Sequence, residues 1–194
     1  TTRAQSDDGL IADAMFKNFH TVESLNERTS QVLNAHLTQL IQNSNWSIII
    51  PNLNSISNEN SGDSLTACRR IIKKAIEESS FEILLSNLSS IKEAFGQEGP
   101  RMCNRIIEEA KSEGRYVTIL KNLRNIKSVL NINYKEIIQK VIRPASYSDA
   151  NIRKIFLHLR DINESNQSED FAVSNLIIDC CIEERYCYYH LLKK

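Results

Sequence analysis

The strongest constraint on the fold is an eleven-residue pattern that recurs at intervals of 35 residues, in 46–56, 81–91 and 116–126. Each copy begins with an aromatic residue. Aliphatic residues follow three and four positions later, then Asn at the sixth position, Leu at the seventh and Ile at the tenth. Apolar residues at this spacing lie on one face of a helix. A fixed period of this length is typical of arrays built from helical hairpins.

A companion pattern precedes the second and third copies. Cys, two Ile and Ala stand at matching positions 35 residues apart, within 65–79 and 101–113. Only three Pro and five Gly occur in the 194 residues, which leaves few turns. We therefore expect an all-α fold, a right-handed α-solenoid of stacked antiparallel helix pairs. The predicted core comprises Ile71, Ile72, Leu88, Ile106, Ile107 and Leu123, and it accommodates the small side chains of Cys68 and Cys103.

The same periodicity divides the chain into a continuous array. Residues 1–45 are predicted to form N-terminal helices, as a capping or partial repeat. The repeats that follow are predicted at 46–63, 64–100, 101–133 and 134–170, with a partial one at 171–194. Local signals predict a kink at Pro51, a capping box at Ser79–Glu82, a helix end at Gly114, a helix stop ahead of Pro144, a cap at Ser148 and a loop over Asn163–Asp170.

Helix length, the 35-residue period and the turn at Gly114 make Ser64–Ile162 resemble the tetratricopeptide and pentatricopeptide families. Resemblance to the second family implies RNA reading near the start of each first helix. Asn104 matches that pattern, whereas Arg69 and Lys135 depart from it. HEAT-type and armadillo-type repeats remain open alternatives.

Three asparagines, Asn52, Asn87 and Asn122, form a ladder at one repeat position, and His158 replaces Asn in the fourth repeat. This ladder resembles that of armadillo-type proteins, which implies binding to the backbone of an extended peptide, since an amide both donates and accepts. The alternative that involves no ligand is that each amide bonds a neighbouring loop or faces water.

Basic residues on the first helices, among them Arg69, Lys73 and Arg105, are expected to line the same groove as this ladder. The alternative interpretation of these basic residues is a solvent-exposed helix face with ion pairs inside the protein.

Composition weighs against several function classes. The chain carries 24 basic and 24 acidic residues, and this balance disfavours nucleic acid as a partner. No catalytic motif, cofactor motif or membrane span is recognisable, so we expect no enzyme activity and no cofactor. Five cysteines without a disulfide framework favour a reducing, cytoplasmic setting. The metal-like group Cys180, Cys181, Cys187 and His190 lacks zinc-site spacing, so no metal site is predicted.

The C-terminal stretch is apolar on more than one side. Tyr188, Tyr189 and Leu192 remain available after one stripe packs inward, which predicts a homodimer through this end. The leading functional hypothesis is a non-enzymatic scaffold that binds a peptide or helix of a partner protein. An RNA-binding pentatricopeptide-like protein is the first alternative, and a helical fragment of a larger enzyme is the second.

Overall fold

The computed structural model describes residues 27–58, 64–167 and 172–183. Within these ranges every regular element is helical and no strand occurs, which confirms the all-α class. The chain divides into two compact units, one ending at Gly99 and the other starting at Pro100. Each unit is described by itself below.

The first unit is built from short helices joined by tight turns. Helix α3 packs against α4 and α6, α4 also contacts α5 and α6, and α1 contacts α2. The elements are α1 (Glu27–Gln42), α2 (Trp46–Ile49), a 3-10 turn (Ile50–Asn52), α3 (Leu53–Asn58), α4 (Ser64–Glu77), α5 (Phe81–Ser86), α6 (Leu88–Phe95) and a 3-10 turn (Gly96–Glu98).

The second unit begins within α7, whose first residue closes the first unit. Helix α8 contacts α10, α11 and α12, while α13 packs against α10 and α12. The elements are α7 (Gly99–Ser112), α8 (Tyr116–Lys121), α9 (Leu123–Leu130), α10 (Tyr134–Ala145), α11 (Asp149–Leu157), α12 (Leu159–Ser165) and α13 (Ala172–Glu183).

The predicted core positions are buried in both units. Leu88, Ile106 and Leu123 have no exposed surface, and Ile107, the most exposed of the six, is 7% exposed. Cys68 and Cys103 are fully buried, as their small apolar character predicted. The interior of each unit therefore consists of the apolar stripes read from the sequence.

The turn that ends the first helix of a pair has one geometry at three positions 35 residues apart. Ser44, Ser79 and Gly114 have φ of 55°, 54° and 69°. The N–H of the next residue donates to the carbonyl five residues earlier, at 3.0, 2.9 and 2.9 Å, which is the Schellman arrangement. The predicted left-handed role of Gly114 is confirmed.

The second turn of a pair repeats only the positive φ. Gly96, Asn131 and Gln167 have φ of 52°, 54° and 49°. Their separations of 35 and 36 residues match the sequence period. The value of ψ differs, −119° at Gly96 and 41° at Asn131, so these two turns do not share one backbone geometry.

Several predicted boundaries were wrong. The second helices, predicted as continuous from Phe81 and from Tyr116, break at Asn87 and at Asn122. Helix α10 continues past Pro144 to Ala145, because the N–H of Ser146 donates to the carbonyl of Ile142 at 2.8 Å and closes the last turn.

The helix starts agree with the sequence, whereas the residue at one cap differs. Helix α5 begins at Phe81 with Ser80 in the N-cap position, where Ser79 was predicted, and α11 begins after Ser148; the side chains of Ser80 and Ser148 make no cap hydrogen bond. Instead Asn133 caps α10 by accepting from the N–H of Glu136 at 2.9 Å. The loop predicted from Asn163 is helical through Ser165, because the side chain of Asn163 is buried and bonded to the next helix.

We predict that Ile106→Ala lowers the free energy of unfolding by about 2–5 kcal/mol, because it empties a fully buried site. Chemical denaturation followed by circular dichroism measures this loss. The matched control is Ser128→Ala at an exposed site of α9, which we expect to change stability little. A loss under about 1 kcal/mol at Ile106 would show that this face of α7 is not packed.

Candidate interaction surface

The predicted asparagine ladder lies at breaks in the second helices. The backbone N–H of Asn87 donates to Leu84, three residues earlier, at 3.3 Å, and that of Asn122 to Ile119 at 3.0 Å. An uninterrupted α-helix would instead bond each N–H to the carbonyl four residues earlier. At both breaks the backbone carbonyl of the asparagine accepts the first bond of the following helix.

At these breaks the side-chain amides donate to the carbonyls that have lost their backbone N–H donor. Nδ2 of Asn87 donates to the carbonyl of Ile83 at 2.8 Å, and Nδ2 of Asn122 donates to Thr118 at 2.9 Å. Asn52 makes the same contact with Ile48 at 2.9 Å. Asn122 is buried, and its Oδ1 accepts from Asn125 at 3.2 Å.

Each predicted ladder residue therefore has an intramolecular role, while peptide binding by the ladder stays a prediction.

His158 occupies the corresponding break between α11 and α12. Its N–H bonds the carbonyl of Ile155, three residues earlier, at 3.0 Å. Its Nδ1 lies 3.0 Å from Asp161 Oδ2, so the ring faces the next turn instead of the preceding carbonyl.

A buried asparagine that the sequence did not single out completes the break at Asn122. Asn166 Oδ1 accepts from the N–H of Arg124 at 3.0 Å, and its Nδ2 donates to the carbonyl of Leu120 at 2.7 Å. These two backbone groups are four residues apart, so they would bond each other in an unbroken helix. The amide of Asn166 is inserted between them and links α12 to α8 and α9.

Donors from first helices reach the residue that follows a break. Ser174 Oγ donates to the carbonyl of Leu159 at 3.1 Å, and Cys68 Sγ lies 3.9 Å from the carbonyl of Leu53. Burial raises the pKa of the Cys68 thiol to about 11, so this thiol stays protonated and can donate at neutral pH.

Three of the basic residues predicted to line a groove are ion-paired. Arg69 Nη2 lies 2.6 Å from Glu98, Lys73 Nζ lies 3.7 Å from Glu77 and Arg105 Nε lies 3.9 Å from Glu109. Arg69 and Lys73 belong to the first unit and Arg105 to the second. Their charges are therefore partly balanced locally, and binding by these residues stays a prediction.

Hydrogen bonds lower the pKa values of several surface carboxylates, among them Glu78 and Asp161. Glu78 accepts from Ser44 and from Trp46 Nε1, the latter at 2.7 Å, and these bonds hold its pKa below the ordinary value. Asp161 has a lowered pKa chiefly because His158 bonds it, with Lys121 adding a positive charge at 3.7 Å. Both contacts tie neighbouring turns together at the surface.

One exposed surface was missed in the sequence. It comprises Tyr147, 76% exposed, and the solvent side of α11 with Arg153, Lys154 and Leu157, the last 83% exposed. We call these four residues the α11 surface. A comparison of equivalent repeat positions in the sequence would have found it. The preceding repeat has the polar residues Ser112, 35 residues before Tyr147, and Lys121, 36 residues before Leu157.

One cavity among the described residues is small. A cavity of about 210 Å³ lies between α10 and α13, lined by Lys135, Leu176, Asp179, Cys180, Ile182 and Glu183. Sites for small molecules typically enclose about 300–1,000 Å³. In the same described ranges, no group of three or more His, Cys, Asp or Glu side chains is placed to hold a metal ion.

None of the helices in the described part of the chain combines the length and apolar character that crossing a membrane requires. The predicted self-association residues Tyr188, Tyr189 and Leu192 lie outside the described residues, as do Cys187 and His190. No protein-family model, curated protein or solved structure matches this chain.

We predict that Asn166→Ala lowers the free energy of unfolding by about 1–3 kcal/mol, because it removes the partners of the buried Leu120 carbonyl and of the part-buried Arg124 N–H. Asn166→Asp should also destabilise the protein, since a carboxylate cannot donate to Leu120. Denaturant titrations of both variants test this. Ser165→Ala, which removes an exposed hydroxyl on the same turn, is the control; equal losses at 165 and 166 would contradict the bridging role.

We predict that the bond from Trp46 to Glu78 stabilises the first unit above the acid range and is lost as pH falls. The folded-state pKa of Glu78 is lowered, so its stabilisation is present above the unfolded-state pKa and disappears as pH falls through the folded-state pKa. Trp46 is the one tryptophan of the chain, so its fluorescence reports the unfolding directly.

The comparison is between the unmodified protein, Glu78→Gln and Glu77→Gln, each unfolded at neutral and acid pH. Glu77→Gln removes the same charge but leaves Trp46 bonded. We expect Glu78→Gln to be the less stable variant at neutral pH, with the difference from the unmodified protein narrowing in acid. Equal stability of the two variants at neutral pH would contradict the account.

Proposed function

We propose that this protein is an α-solenoid of helical hairpins, of the tetratricopeptide and pentatricopeptide kind, that acts as a scaffold for protein partners. The observation that carries the proposal is the contrast between its interior and its exterior at positions 35 apart. Ala75, Ala110 and Ala145 are equally and fully buried. Two residues before each of them, the exposed positions carry lysine, glutamate and arginine.

A constant interior with a changing exterior is what stacked repeats provide to binding partners. Each hairpin buries its apolar face against its neighbours, which leaves outward positions free to vary in charge and shape. Contacts within the second unit support stacking, because the first helices α10 and α13 are neighbours, as are the second helices formed by α8 and by α11 with α12.

The ion pairs favour a protein partner over RNA. Phosphate binding draws on a positive excess whose counterions are released on binding. Arg69, Lys73 and Arg105, the basic residues expected in a groove, each have a carboxylate within 4 Å, and the whole chain has no net charge. Individual exposed side chains can still select a peptide or a helix, since a few residues carry most of the energy of an interface.

Selection from a displayed library of random peptides tests the proposal. We expect peptides that bind the folded chain and do not bind Leu123→Asp, an interior variant whose buried charge prevents folding. The resynthesised peptides are then measured by calorimetry at low and high salt. In parallel, single-stranded homopolymeric RNAs are titrated under the same conditions.

Peptide binding to the folded chain with weak RNA binding is the expected result. Tight RNA binding with a steep salt dependence, together with an empty peptide selection, would overturn the scaffold and favour the RNA-binding alternative.

A further inference from the structure

The two large apolar side chains of the α11 surface are exposed where other repeats present small or polar residues. Tyr147 is 76% exposed and corresponds to Glu77 and Ser112, 70 and 35 residues earlier. Leu157 is 83% exposed and corresponds to Lys121, 36 residues earlier. An isolated exposed leucine is ordinary, but here two apolar residues replace polar ones, Tyr147 two residues before α11 and Leu157 as its last residue.

The other three members of the α11 surface lie along one side of the helix. Arg153, Lys154 and Leu157 follow Ala150 at spacings of three or four residues, which places them on one helix face. All four are exposed, whereas Ile152 and Ile155 on the other side are buried. The stripe from 150 to 157 is about 10 Å long, or two helical turns.

The positive charge of the α11 surface favours an acidic partner. Arg153 and Lys154 are exposed and have no ion-pair partner among the residues the structure describes, and the same holds for Arg143, four residues before Tyr147. In the same unit, Lys140 and Arg160 each lie within 2.8 Å of a glutamate. The α11 surface therefore combines exposed apolar groups with cations that no carboxylate of the described residues pairs, and this charge is complementary to a segment that carries carboxylates.

We infer that the α11 surface holds an acidic amphipathic segment of a partner protein, an inference that rests on the proposed scaffold function. The carboxylates of that segment pair with Arg153 and Lys154, and the guanidinium accommodates a bidentate contact. Its large apolar side chains cover Leu157 and the ring of Tyr147, which together supply the buried part of the contact.

An anionic lipid surface offers a similar combination of negative charge and apolar contact. Peripheral membrane helices, however, bury a broad apolar face. Here Arg153 and Lys154 stand in the sequence between the two exposed apolar residues Tyr147 and Leu157, which matches alternating acidic and apolar side chains better than a lipid layer. Vesicle binding is therefore an alternative outcome of the test.

The test uses peptides from the library selection and three variants of the chain. Tyr147→Ser with Leu157→Ser removes the apolar ends. Arg153→Glu with Lys154→Glu reverses the charge between them. The charge-matched control is Arg124→Glu with Lys127→Glu, which alters two exposed basic residues of α9, outside the first helices expected to line the groove.

We expect the selected peptides to be rich in Asp and Glu beside large apolar residues. Each α11 double variant should weaken their binding by about tenfold or more, while the control variant binds like the unmodified chain. Circular dichroism and thermal melts of the variants verify that the fold is retained, as expected for exposed sites.

Peptides that bind the chain but are unaffected by both α11 variants would overturn this inference and leave the scaffold proposal standing. An empty selection would overturn both. Binding to vesicles of mixed zwitterionic and anionic phospholipid that disappears in both α11 variants, with no peptide enrichment, would assign the surface to a membrane instead.

Discussion

The hydrogen bond from an asparagine amide to the carbonyl four residues earlier stabilises the break in the second helix at three equivalent positions, and His158 stands at the fourth. It recurs at Asn52, Asn87 and Asn122 with nearly the same length, 2.8 to 2.9 Å. Breaking a helix in the interior would leave a carbonyl without a donor, which costs free energy when the group is buried. Because the amide supplies that donor, the helix can change direction there. The leucine that follows each break, at 53, 88 and 123, is fully buried.

The stripe of apolar residues predicted which side chains are buried, because spacing of three and four residues places them on one helix face whatever the exact backbone path. The apolar stripe did not predict the breaks. At a break, one backbone N–H donates to the carbonyl three residues earlier instead of four, and this hardly changes the spacing of the apolar residues. Asn166 had no local signal at all. Its partners Leu120 and Arg124 lie 46 and 42 residues away, so its role depends on tertiary packing.

The surface was harder to anticipate than the core. The sequence showed basic residues on first helices but not which carboxylates balance them, and Arg69 pairs with Glu98, 29 residues away. The α11 surface was recoverable only by comparing Leu157 with Lys121 at the equivalent position. A recurring interior makes such comparison informative, because a departure at an exposed position is not required by packing. The same logic connects the fold to a scaffold, whose partners would be selected by exposed residues that differ between hairpins.

The central claim is that the side-chain amides of the three asparagines donate hydrogen bonds to backbone carbonyls of their own helices. Hydrogen exchange of side-chain amides, measured by nuclear magnetic resonance, tests it directly. Asn52, Asn87 and Asn122 should each show a slowly exchanging Nδ2 proton, whereas the exposed Asn104 and Asn175 should exchange rapidly. A scalar coupling across the bond from Asn122 Nδ2 to the carbonyl of Thr118 would identify the acceptor. Exchange at the three positions as rapid as at Asn104 would contradict the account.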